Sequence, residues 1–188
     1  MTAVMMRSQD KLNPVRMTAY IAVMTALSAV FGYAEQLIPF VFFGIPGIKL
    51  GFANIVSLIA LYVFGPVYAY LILLARVLIV GFMFGNMYSI IFGISGGISA
   101  MTLMWILKKT GLFGMTGVSA AGGVAHNLGQ LIVAEITMNE INLIFYLPVL
   151  VIFGMLAGWV MGILGQTIVL RMRWSDDRFL KGHDRFDL

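Results

Sequence analysis

Between residues 17 and 170 this chain carries only seven charged side chains: Glu35, Lys49, Arg76, Lys108, Lys109, Glu135 and Glu140. Four more lie in residues 1–16 and nine in 171–188. A block so poor in charge cannot keep a soluble surface, because ordinary globular chains are about one-quarter charged. It must face hydrocarbon instead. Its apolar runs are continuous rather than alternating, which fits membrane helices and disfavours a β-barrel. The chain as a whole is 61% hydrophobic, with a mean hydropathy of +0.97. A soluble enzyme, a nucleic-acid-binding module and a disordered chain are excluded.

The length of the block bounds the architecture. A span needs about 20 residues, so six fit with short connections and leave no room for a second soluble domain. The expected spans are about 17–36, 49–64, 66–84, 87–107, 115–137 and 143–170. The stretch PFVFFGIP, from Pro39 to Pro46, is too interrupted for a regular helix. Three segments follow: a cytoplasmic N-terminal piece (1–16), an all-α membrane domain of six transmembrane helices (17–170), and a polar cytoplasmic tail (171–188) read as a solvated extension. A cleaved signal peptide is disfavoured, because the first apolar run is too long.

Orientation comes from the basic residues. With the N-terminus inside, Arg7, Lys11, Arg16, Lys108, Lys109, Arg171, Arg173, Arg178, Lys181 and Arg185 fall on the inner side, and only Lys49 falls outside. This bias predicts a multi-pass protein of the plasma membrane with both termini cytoplasmic. The absence of cysteine rules out disulfides, thiolate metal sites and a cysteine nucleophile.

Polar groups inside such a block are costly, so they mark the candidate site. Arg76 falls about 15 Å into its span, near mid-membrane. It reads either as an anion-binding position, where a small anionic ligand is expected with help from Lys49 and Asn54, or as a structural arginine. Lys49 and Asn54 share the second span, after a Pro-Gly break that can leave helix N–H groups free for an anion. His126, Asn127 and Gln130 sit on the fifth span, with His126 and Gln130 on one face. They suit a ligand or an interhelical hydrogen bond. One histidine without nearby Cys, Asp or Glu is a poor metal site, so neither metal nor cofactor is expected. Glu35 closes the first span, either solvated or paired with Lys49 or Arg76. Ala19, Ala22, Ala26 and Ala29 form a small-residue stripe, which serves internal packing or docks a partner subunit.

Four segments carry a resemblance: PGIKLGFANIVSLIALYVFG, LLARVLIVGFMFG, SGGISA and GVAHNLGQLIVAE. Over about residues 17–170 the chain resembles the bacterial Gx transporter family, also known as heptaprenyl diphosphate synthase component I. That resemblance implies the six-helix fold of substrate-binding S components of energy-coupling factor transporters. It implies capture of a small, vitamin-like molecule from outside, and docking through the first helix onto a transmembrane coupling subunit driven by two ATPase subunits. Membrane lipid and the small-molecule substrate are the other expected partners; nucleic acid is not. No enzymatic activity is expected. Prenyl diphosphate synthesis uses Asp-rich magnesium motifs such as DDxxD, and the one adjacent acidic pair, Asp176-Asp177, is followed by Leu180 where a third acid would stand. The alternative is a non-catalytic membrane subunit associated with polyprenyl or quinone precursor synthesis.

Overall fold

The computed structural model describes residues 14–37, 52–138, 145 and 147–183, without the side chains of Gln36, Phe52 and 173–183. Within them the chain is helical: α1 (Pro14–Leu37), α2 (Phe52–Val63), α3 (Pro66–Phe84), α4 (Met87–Thr110), α5 (Met115–Met138) and α6 (Leu147–His183). The connections between α2 and α5 are short because local chemistry stops each helix sharply. Gly65, at φ 92°, turns the chain, and Pro66 opens α3 where its missing N–H costs nothing. Asn86 caps α4, its Oδ1 accepting from the Ser89 N–H at 2.9 Å. Gly111, left-handed at φ 67°, ends α4. Neighbouring helices therefore run antiparallel.

α2 is the hub. It touches α1, α3, α4 and α6, while α5 lies between α4 and α6. Its side chains from Val56 to Leu61 are buried among Ile72, Met101, Met104, Val118 and Met161. Its C-terminal end is fixed by Lys108, whose ammonium donates to the Leu61 carbonyl at 2.7 Å and sits over the Tyr62 ring. Its other end is fixed by Ser28 of α1, fully buried, whose hydroxyl donates to the Ala53 carbonyl at 3.2 Å. Arg16, Lys108, Lys109 and Arg171 mark one end of the bundle, here called the basic end.

Among the described residues four helices are long and apolar enough to cross a membrane: α1, α3, α4 and α6. The other two fall short for opposite reasons. α2 is apolar, but its 12 described residues cover only about 18 Å of a hydrocarbon core about 30 Å thick. α5 has 24 residues, but Ser119, His126, Asn127 and Gln130 dilute it. The expected second span began at Lys49; the described helix begins at Phe52, and Lys49 lies outside the described residues. The tail differs from expectation as well. α6 does not stop near Leu170 but runs on to His183, adding about 20 Å of helix at 1.5 Å per residue.

Candidate functional site

Helix arithmetic brings the polar residues to one depth. α2 and α3 leave the Gly65 turn in antiparallel directions at the same rise, so Arg76 comes level with Ala53 and Asn54. Counting across the α3–α4 turn puts Ser95 at the same height, and across the α4–α5 turn Gln130, with His126 one turn nearer the basic end. Ser95 donates to the Gly129 carbonyl, which ties α4 to α5 in this layer. The layer lies at the Ala53–Asn54 level of α2.

Two cavities open there. The first lies between α2, α4, α5 and α6, and its polar lining is Asn54, Ser119, His126 and Asn127. Ser119, His126 and Asn127 are buried; Asn54 is partly buried. The rest of the wall is small or flexible, including Gly122, Gly123, Gly154 and Gly158. Asn127 donates from its amide to the Leu150 carbonyl at 2.7 Å, across to α6. The cavity volume is about 30 Å³, room for one or two waters. Among the described residues no three His, Cys, Asp or Glu side chains come together as a metal site.

The second cavity, about 40 Å³, lies between α1, α3 and α4. Glu35, Arg76 and Ser89 line it with Gly32, Gly81 and Gly93. Glu35 is only 8% exposed. Arg76 lies within electrostatic reach of it, and a methyl group on Gly32 would stand 3.7 Å from an Arg76 terminal nitrogen. The Arg76 Nε is buried and has no hydrogen-bond partner among the described residues. Arg76 and a carboxylate from its own chain thus line one cavity within electrostatic reach of each other.

The expected site residues thus fall into two groups. Asn54, His126 and Asn127 share the neutral cavity, and Gln130 lies beside it against α4, where a methyl group on Gly96 would meet both Gln130 and His126. Arg76 and Glu35 share the charged cavity and are not joined by Asn54. On α1, Ala19, Ala22 and Ala26 are exposed and Ala29 is partly buried. The buried side of α1 is Thr25, Ser28, Gly32 and Glu35, so Ala19, Ala22 and Ala26 lie away from it. Sequence reading missed Ser119 and the α6 glycines. Gly154, Gly158 and Gly162 recur every four residues, the small-residue spacing of close helix pairs. A methyl group on Gly162 would stand 2.7 Å from the Thr116 Cα, and one on Gly158 would meet the backbone of Ser119 and Ala120. That close approach places Asn127 beside Leu150.

These features define, among the described residues, an all-helical, membrane-type bundle with a buried polar layer. The chain belongs to the heptaprenyl diphosphate synthase component I family, whose model matches residues 24–168. No curated protein and no solved structure matches it.

Proposed function

We propose that this protein is the substrate-binding membrane subunit of an energy-coupling-factor-type transporter, capturing a small vitamin- or cofactor-like molecule from outside the cell. The observation that carries the reading is the neutral cavity. It gathers Asn54, Ser119, His126 and Asn127 around one space in an otherwise apolar bundle, and a few convergent polar groups in an apolar pocket are what small-molecule sites use. A drug-sized ligand needs a site of about 300 Å³ or more, so loading would expand the cavity. The methionines and glycines of its wall suit such repacking.

In this reading both termini are cytoplasmic, the basic end faces the cytoplasm of a bacterial plasma membrane, and the protein is not an enzyme. The exposed Ala19, Ala22 and Ala26 face, with Ala29 at its edge, supports docking onto a transmembrane coupling subunit carrying two ATPase subunits. Surrounding membrane lipid is the other partner. The test is native mass spectrometry of the purified protein. A bound small molecule is expected in the wild type and should be lost in Asn54→Ala/Ser119→Ala, with melting temperature within a few degrees of wild type. Empty wild-type protein from cells making the whole transporter, or equal retention by the variant, sinks the reading.

A second reading has support from the family description and from α6, which continues as helix beyond its apolar part. It makes the protein a non-catalytic membrane subunit of polyprenyl or quinone precursor synthesis. Co-purification of a soluble prenyl-transferring subunit, abolished by deleting residues 174–188, would favour it.

A further inference from the structure

The sequence suggested an anion beside Arg76. The charged cavity already holds one. Among the described residues, Arg76 and Glu35 are the formal charges of the polar layer; Lys108 and Lys109 sit at the basic end of α4, and Glu135 is exposed near the far end of α5. Among the described residues the layer therefore carries no net formal charge. An added anion would have to displace Glu35 or leave a carboxylate uncompensated in a low-dielectric site, where like charges repel strongly. The remaining volume accommodates waters or a single small ion rather than a substrate carboxylate or phosphate group. The buried Arg76 Nε and the adjoining Ser89 give that space a polar wall.

We propose that Glu35 is a resident counter-anion that occupies the anion place of the Arg76 cavity, so that the polar layer selects ligands without net charge. The selection of neutral ligands rests on the substrate-binding reading above; the role of Glu35 does not. Molecules of the fitting class carry mixed donors and acceptors, such as neutral heterocycles and amides, which suit the Asn54, Ser119, His126 and Asn127 set. A tethered carboxylate also differs from a substrate anion in one readable way. Remove its charge, and a mobile anion of water-like size should take its place.

The experiment follows thermal melting in detergent while chloride replaces gluconate at constant ionic strength. Gluconate is too large for a cavity of about 40 Å³. The wild type is expected to show no chloride dependence. Glu35→Gln should melt lower in gluconate and recover by roughly 2–4 °C, saturably, as chloride is added. Glu35→Gln/Arg76→Gln should lose the chloride response. If Glu35→Gln is too unstable to melt in gluconate, its folded yield from purification in chloride against gluconate reads the same thing; chloride should rescue it. A wild type stabilised by chloride as strongly as Glu35→Gln overturns the proposal, and so does a Glu35→Gln protein indifferent to chloride. None of this requires the substrate or the transporter partners. The charge of any molecule found by native mass spectrometry tests the ligand half separately. An anionic ligand would overturn neutral selection while leaving substrate capture intact.

Discussion

The α3–α4 contact and the α5–α6 contact are both lined by glycine, yet they are built differently. In α3–α4 the glycines receive side chains: a methyl group on Gly97 would meet the Leu73 side chain, and one on Gly93 would meet Val77. In α5–α6 the glycines receive backbone: Gly123 faces the Gly154 carbonyl, and Gly158 faces the Ser119 carbonyl. The same division separates the two cavities. Between α1, α3 and α4 the polar groups are charged and answer each other. Between α5 and α6 they are neutral, and Asn127 answers a backbone carbonyl. Side-chain contacts can adjust and backbone contacts cannot, so the first region is held by charge and the second by shape.

The largest effect expected from that contrast is at the charge pair. Removing one partner of a buried pair leaves an uncompensated charge and costs about 3–5 kcal/mol, whereas replacing both is often close to neutral. Arg76→Met alone should therefore lower stability by that order. Arg76→Met/Glu35→Gln should recover most of the loss. Chemical denaturation in detergent, followed by tryptophan fluorescence, measures both. A double variant as unstable as the single would show that the two residues act independently, and the charge account of this region would fail.

The glycine seams come next. Gly97→Ala pushes on the ends of the Leu73 side chain, with the closest approach 2.9 Å to Leu73 Cδ1, and that side chain can turn away. It should change stability by less than about 1 kcal/mol, since helix propensity favours alanine by a similar amount. Gly158→Ala pushes on the backbone of α5, with Ala120 Cα at 2.9 Å, and must move a helix. Its cost should fall at or above the usual 1–3 kcal/mol of overpacking. It should also impair ligand retention, because Ser119 sits on the displaced strip and lines the cavity. Equal melting temperatures for the two variants would remove the distinction between the regions.

Much of this was legible in the sequence, and the reasons are specific. The α3 boundaries, Pro66 to Phe84, coincide with expectation because Gly65-Pro66 and Gly85-Asn86 are turn chemistry that works locally. Arg76 and His126 stood out because an ionisable or polar side chain in an apolar run has few tolerable environments. What stayed hidden was pairing in space. Ser28 is an unremarkable residue in sequence, and its bond to Ala53 spans 25 positions. The partition into a charged and a neutral cavity depends on which helices touch, and no single segment encodes that. The α6 glycines were readable by their four-residue spacing, but a hydropathy scan treats glycine as neutral filler. The continuation of α6 was obscured for a related reason: a charged stretch ends a membrane span without ending a helix.

The smallest expected effect tests whether charge also matters at the basic end. Lys108 and Lys109 are adjacent, equally cationic and both near an aromatic ring, yet their surroundings differ. Lys108 reaches Leu61 on α2 and lies 4.7 Å from the Tyr62 ring centre. Lys109 lies 4.1 Å from Trp105 of its own helix and is exposed. Only Lys108 satisfies a carbonyl at the end of α2, where the helix leaves acceptors open and its dipole is negative. A hydrogen bond from a charged donor is worth about 1.5–3 kcal/mol at most, and partial exposure reduces this toward about 1 kcal/mol. Lys108→Met should therefore lower the melting temperature by a few degrees. Lys109→Met should shift it by less, because a cation–π contact within one exposed turn contributes only about 0.5–1 kcal/mol. Raising salt should narrow the gap little, since the Lys108 contact is partly buried and poorly screened. A gap that closes in high salt would mean that Lys108 acts by surface charge alone, and the end of α2 would then be held by its apolar side chains rather than by this bond.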